Sequence, residues 1–288
     1  MEFLQQGLHA DIEMDRYVSD PAPEPSLSKG MVLTLINRTP AHARIESPRL
    51  NPGLVDDSSS RADIGSAVHA KILGGQAIGI VEADNWMTKA AKEAREDIRA
   101  NGGIALLCKD AESLDAIADA VFAACANAGM PLEQAVHEQT AIWKDGDVWC
   151  RARPDALWLD QKICGDLKTT KNADPQSWIK TTLLGGGYFI QPSHYLRGIE
   201  TIRDESGWQF RFVVCEIEKP FGVSIIGVDG ALLDLADQQC TRARAIWAKC
   251  LRENKWPSYS NQIAVAELPT WVQYEWENRR AILNQEAA

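Results

Sequence analysis

At 288 residues, with 45% hydrophobic and 24% charged side chains, the chain has the composition of a globular protein able to bury a full core. No apolar run approaches the roughly 20 residues that a membrane-spanning helix needs, so no membrane partner is expected. The net charge of −10 argues against a protein that coats nucleic acid. The seven cysteines contain no Cys-x-x-Cys, so neither an iron–sulfur cluster nor a structural zinc site is expected. Met1-Glu2-Phe3-Leu4-Gln5 lacks the basic and apolar regions of a signal peptide, which predicts a cytoplasmic protein with reduced thiols.

Residues 1–25 hold six acids against Arg16 and end in Pro21-Ala22-Pro23-Glu24-Pro25, the pattern of a flexible acidic tail and an extended linker. Residues 26–50 reverse the balance, with Lys29, Arg38, Arg44 and Arg49 against Glu46. A local basic channel on an acidic exterior would reconcile DNA binding with the total charge. Ser26 to Asn37 reads as a short helix stopped near Thr39-Pro40. Asp56-Asp57-Ser58-Ser59-Ser60 would supply N-caps for a helix through Ile64 to Leu73. Residues 84–101 and 110–128 carry Ala-rich helical patterns, with Ile104 to Cys108 a short strand between them. Val136 to Trp143 and Val148 to Arg153 flank Lys144-Asp145-Gly146-Asp147, whose Asp-Gly favours a hairpin turn. A second hairpin follows at once, giving an antiparallel unit of three or four strands. Helices are predicted from about Asp174 to Leu184 and Tyr188 to Arg203, with Gly185-Gly186-Gly187 between. Pro192 fits the latter only in its first turn. Strands near Phe210–Ile217 and Val223–Val228 precede a long helix, Gly230 to Asn254, and a final amphipathic segment surrounds Trp271 to Ile282. The sum is one α/β domain over 26–288 with helical additions.

The second hairpin carries the chemistry. Leu157–Leu159 and Ile163–Leu167 are short apolar runs with Asp160-Gln161 midway between them. A turn there sets Asp155 opposite Asp166. Facing Cβ atoms lie about 5 Å apart in such a pair, and like charges placed there repel. A divalent cation converts that repulsion into a chelate. Lys168 lies two residues beyond Asp166, so strand alternation puts it on the same face. Two carboxylates, a cation and an ammonium suit phosphodiester hydrolysis. Thr169 and Thr170 follow as hydroxyls able to meet a phosphate. The plain alternative is a salt-bridged surface hairpin.

Tyr188, Gln191 and Tyr195 stand close together, and Gln191 and Tyr195 share one helix face. An amide beside a phenol can donate to phosphate oxygens or stack on a base, although Tyr195 would serve equally as core. His69, within Ile64-Gly65-Ser66-Ala67-Val68-His69, reads either as a half-buried histidine or as a third metal ligand. An imidazole in the set would favour a borderline cation such as Mn²⁺ over Mg²⁺. Glu138 fits an exposed strand carboxylate as well as a member of the site.

The order His69, Glu138, Pro154-Asp155, Asp166-Leu167-Lys168, Gln191-x-x-x-Tyr195 resembles the PD-(D/E)XK nuclease superfamily. It is most similar to the branch of RecB-like and exodeoxyribonuclease VIII (RecE-like) enzymes of phages and prophages. Ser26-Leu27-Ser28 leading to Arg38-Thr39-Pro40-Ala41-His42, and Gly187-Tyr188-Phe189-Ile190-Gln191, fit that branch too. The resemblance spans residues 26–200 and implies a restriction-endonuclease-like core, a central mixed sheet flanked by helices. It implies that His69, Asp155, Asp166 and the Leu167 carbonyl bind Mg²⁺ or Mn²⁺, and that Lys168 is the catalytic lysine assisted by the acids, Glu138 among them. Gln191, Tyr195, Tyr188, Thr169, Thr170, Ser28 and Arg38 would then serve the site and DNA.

The expected activity is metal-dependent digestion of linear duplex DNA from its ends, with Lys168 orienting or deprotonating the attacking water. The branch further implies a homo-oligomeric ring, for which the Trp271–Ile282 helix is a packing surface, and a single-strand annealing partner. Two other readings compete. One is a RecB-type nuclease for single strands or 3′ ends, and the other is a non-catalytic DNA-end binder.

Overall fold

Period-two alternation in the strands around the second hairpin decides the architecture. The structure, a computed structural model, describes residues 2–53 and 63–286, so the Asp56–Ser60 segment expected to cap a helix lies outside the described residues. The chain opens with β1 (Gly7–His9), α1 (Met14–Val18), α2 (Lys29–Asn37), α3 (Pro40–Glu46) and α4 (Asp63–Leu73). A small βαβ unit follows, β2 (Ile78–Val81), α5 (Lys89–Ala100) and β3 (Ile104–Leu107), its two strands parallel. Next come α6 (Cys108–Ala111) and α7 (Leu114–Asn127), then β4 (Val136–His137), β5 (Thr140–Asp145), β6 (Val148–Ala152), β7 (Ala156–Trp158) and β8 (Ile163–Thr170). The remainder is α8 (Pro175–Trp178), a π-helical run (Ile179–Leu184), α9 (Ile190–Arg203), β9 (Gln209–Glu216), β10 (Val223–Gly227), α10 (Gly230–Glu253) and α11 (Thr270–Glu286).

Five strands form a mixed sheet in the order β10-β9-β8-β7-β4, with β8 and β9 parallel and the other pairs antiparallel. The β8-to-β9 connection runs through α8 and α9, as a parallel pair requires. Alternate residues enter two separate cores. Leu157, Cys164, Phe212 and Val214 pack into one with α2, α9 and α10, while Trp158, Leu167, Val213 and Cys215 pack into the other with α4 and α7. A sheet covered on both faces is the mixed, helix-flanked α/β arrangement expected from sequence. The β7–β8 register pairs Ala156 with Gly165 and Leu157 with Cys164, as the hairpin reading required. Pro192 lies in the first turn of α9, where its missing N–H leaves no intrahelical bond unmade. Gly198, on the same helix, faces Trp143 so closely that a Cβ would lie 2.7 Å from its ring.

Three expectations are corrected. The single antiparallel unit is instead two hairpins in different sheets: β5 and β6 join β1 in a three-stranded sheet, while β7 and β8 enter the five-stranded one. Residues 1–25 are not a flexible tail. Gly7–His9 pair with β5, and Asp20 is fully buried in an ion pair with the 5%-exposed Arg151 at 3.2 Å. Asp20 also accepts from the Ser26 backbone N–H at 2.8 Å, and Arg49 donates to the carbonyl of Ala22 at 2.8 Å. One of the acids that read as solvated charge, Asp20, is a structural partner of a buried arginine. Finally, the described chain divides into two units, Met1–Pro257 and Ser258–Ala288, so 26–288 is not one domain. Within the second unit, Trp271, Tyr274 and Trp276 are exposed.

Removing one partner of a buried ion pair strands the other charge and costs about 3–5 kcal/mol. Asp20→Ala is therefore expected to lower the unfolding free energy by about that amount, read as a lower urea midpoint. A truly flexible tail would leave the midpoint unchanged.

Candidate active site

Two sheet-switching corners create the site. Between β4 and β5 the chain leaves the five-stranded sheet at Glu138, whose backbone is left-handed (φ +53°). Between β6 and β7 it re-enters through Arg153-Pro154-Asp155. The corners are tied together, because the Glu138 N–H donates to the Asp155 carbonyl at 3.1 Å. Arg153 bonds the Glu138 carboxylate through Nε and reaches the Ile12 carbonyl through its other nitrogen, which fixes the carboxylate against the first corner.

One register step past Ala156–Gly165, Asp155 and Asp166 face each other. Asp155 is buried and accepts from the Leu167 N–H at 2.6 Å. Asp166 is 3% exposed; its Oδ1 accepts from Gln191 Nε2 at 2.5 Å and its Oδ2 is held by the Lys168 ammonium. Burial first, and the Asp166 charge second, push the Asp155 pKa well above the ordinary carboxylate range. For Lys168 burial pulls downward, but Asp166 and Asp155 outweigh it, and its pKa is raised. Lys168 is thus a firmly held ammonium.

His69 arrives from α4, which approaches β8 closely at Gly65, where a Cβ would lie 3.0 Å from Thr169 Oγ1. Its Nε2 contacts the Leu167 carbonyl at 3.0 Å; a carbonyl can only accept, so Nε2 carries the proton and Nδ1 offers a lone pair. That Nδ1 lies 3.7 Å from Asp155 Oδ2. Burial and the Lys168 charge lower the His69 pKa, which keeps the imidazole neutral as a ligand must be. His69, Glu138 and Asp155 present ligand atoms all within 4.8 Å of one another.

The other predicted residues divide. Gln191 serves Asp166 rather than the exterior. Tyr195 is buried edge-on against Phe210 at 6.0 Å, so it is core and cannot stack on a base. Ser28 is the N-cap of α2, accepting from the Met31 N–H at 3.4 Å, and Arg38 pairs with Glu46 at 3.8 Å. Thr170 exchanges hydrogen bonds with Asn172 in the turn after β8. Tyr188 lies at the site, its ring centre 5.9 Å from the Lys168 ammonium. One residue escaped the sequence reading: Arg153 directly precedes Pro154-Asp155, a position that could have drawn notice.

The model of the PDDEXK-like domain of unknown function (DUF3799) matches residues 49–269. The chain belongs to this PDDEXK-like family. Among solved structures, a protein of Eubacterium rectale described as "Putative exonuclease" superposes with a TM-score of 0.58 at 13% identity, covering 91% of this chain and 97% of its own. A phage related exonuclease of Haemophilus somnus 129PT covers 66% of this chain and 95% of its own at 16% identity, with a TM-score of 0.31 too low to bear on the fold. No curated protein matches. The fold of the chain is therefore PDDEXK-like, and the likeness to solved structures at such identities speaks to fold alone. Among the described residues, no helix is long and apolar enough to cross a membrane.

The donor set fits a divalent cation: a neutral imidazole and two carboxylates converge, with a third carboxylate adjacent. His69 Nδ1, Glu138 and Asp155 are the groups placed to hold it. Asp166 and the Leu167 carbonyl, the other expected ligands, lie beside this set, in contact with Lys168 and Gln191 and with His69 respectively. The raised Asp155 pKa sets a pH dependence. The folded state binds this proton more tightly than the unfolded chain, so the contribution is complete below the unfolded value near 4 and is lost as pH rises through the folded value. In chelator, wild-type melting temperature should fall, relative to Asp155→Asn, as pH rises above the ordinary carboxylate range. Mn²⁺ should then raise the melting temperature of the wild type and leave that variant unmoved. Equal responses of the two proteins would contradict this account of the cluster.

Proposed function

We propose that this chain is a metal-dependent exodeoxyribonuclease that digests linear double-stranded DNA from its ends, 5′ to 3′, with Mg²⁺ or Mn²⁺. The observation that carries the reading is the Lys168 ammonium held by Asp166 beside the convergent His69, Glu138 and Asp155 donors. When bound, a divalent cation polarises the scissile phosphate and lowers the pKa of a coordinated water. The chain's own groups do the rest. Asp166 anchors Lys168, and Gln191 fixes Asp166, so that the ammonium is pre-oriented toward a reacting phosphate. Lys168, anchored by Asp166, is placed to orient the attacking water or take its proton and to offset charge on the phosphorane. Arg153 keeps Glu138 in place, and the neutral His69 adds no charge of its own to repel a cation.

A non-catalytic DNA-end binder has no use for carboxylates crowded at burial, which favours the enzyme. Action from duplex ends, a ring of three or four subunits and a single-strand annealing partner in recombination follow from the family resemblance, and the exposed α11 aromatics suit a subunit contact.

Lys168→Ala should lower cleavage by at least about a hundredfold while leaving the circular dichroism spectrum and DNA binding near wild type. Incubation of linear and covalently closed duplex with Mg²⁺, Mn²⁺ or chelator should consume only the linear form, and only with metal. Comparison of 5′- and 3′-labelled ends reads the direction. Loss of the closed form, or undiminished digestion by Lys168→Ala, would refute the proposal, and metal-independent binding without nucleotide release would support the binder.

A further inference from the structure

Lys29 breaks three local rules at once. It occupies the first position of α2, where the helix dipole is positive and a cation is disfavoured. It is half-buried, and among the described residues no carboxylate lies within ion-pair distance of it. Its charge also adds to that of Lys168: both ammoniums approach the ring of Tyr188, Lys29 at 4.2 Å and Lys168 at 5.9 Å from the centroid. Burial first, and then the Lys168 charge, draw the Lys29 pKa down to about 8 against the opposing pull of Asp166. The cation–π contact returns only part of what such a placement costs.

Unfavourable charge of this kind persists where a ligand of opposite sign completes it. The opposite sign here is phosphate, which the substrate chain supplies at every nucleotide. The Tyr188 ring is the group on which the two ammoniums converge, one from α2 and one from the sheet. We propose that Lys29 is a substrate-binding residue that grips a backbone phosphate neighbouring the one attacked. This inference rests on the nuclease reading above and adds to it a second cationic contact, supplied from outside the metal cluster. It also explains why Lys29 and Tyr188 lie so far apart in sequence and meet only at the site.

The test measures wild type, Lys29→Met, Lys29→Gln and Lys29→Arg side by side. Cleavage of a blunt linear duplex is followed in Mn²⁺, binding of the same duplex in Ca²⁺ over a salt series, and thermal melting without DNA. Losing one charge-assisted contact predicts a fall in kcat/KM of about 10- to 100-fold for Lys29→Met and Lys29→Gln, carried mainly by KM. The slope of log affinity against log salt should shrink by about one unit. Both variants should melt at a temperature equal to or above wild type, because the charge they lack is destabilising at rest. Lys29→Arg should keep the salt slope. Wild-type kcat/KM and salt slope in the two uncharged variants would overturn the proposal and leave the nuclease reading standing. A wild type that neither binds nor cleaves linear duplex would remove the nuclease reading itself, and this inference with it.

Discussion

Two like-charged carboxylates facing each other across adjacent strands, out of contact with bulk water, are the constraint on which the rest of the molecule turns. Left alone, Asp155 and Asp166 would repel and resist ionisation, and the raised pKa of Asp155 records that. The surroundings are arranged as responses. The Leu167 N–H answers one carboxylate, and Lys168 with Gln191 answers the other. His69 approaches from the opposite helical layer with its lone pair free. Asp155 and the Arg153-paired Glu138 converge with His69 Nδ1, and these three groups would hold a divalent cation.

Such a site survives only on a frame stiff enough to hold it. The frame is the five-stranded sheet with a separate core on each face, in which Trp158, Phe210 and Phe212 are all but fully buried. The ligands do not sit on long loops. Asp166 and Lys168 project from the central strand β8, Asp155 and Glu138 from corners where the chain changes sheet, His69 and Gln191 from helices on opposite faces. Irregular backbone appears where it aims a group: the left-handed Glu138 is the clearest instance. A site that violates local electrostatic preference is thus carried by surroundings that satisfy it.

The N-terminal segment is part of this frame. The Ile12 carbonyl holds Arg153, which holds Glu138, while Asp20 neutralises Arg151 two residues earlier on the same stretch. A short strand and two arginine contacts thereby link the first twenty residues to the corner at Glu138. The seven cysteines, all free, take no part; burial raises the thiol pKa of Cys150, Cys164 and Cys215, and they behave as apolar core.

The sequence by itself determined what depends on near neighbours along the chain. Period-two alternation and one turn specified the β7–β8 register, the facing of Asp155 and Asp166 and the shared face of Lys168, since a one-residue slip would send every side chain to the wrong side. Helix punctuation located α2, α9 and α10, with Pro192 where its ring is harmless. Only the tertiary structure decided what long-range packing controls. Val136 to Trp143 reads as one strand, but it breaks at Glu138 because its two ends belong to different sheets. Tyr195, within α9, is core, and Tyr188, in the turn before it, is only half-buried, because neighbours distant in sequence cover one more fully than the other. Asp20 looked solvated until Arg151, over a hundred residues downstream, was in place. Lys29 carries no local mark beyond an excess of basic residues around it. Its meaning comes from Lys168 and Tyr188, and charge–charge proximity across folded space has no periodicity for a sequence to display.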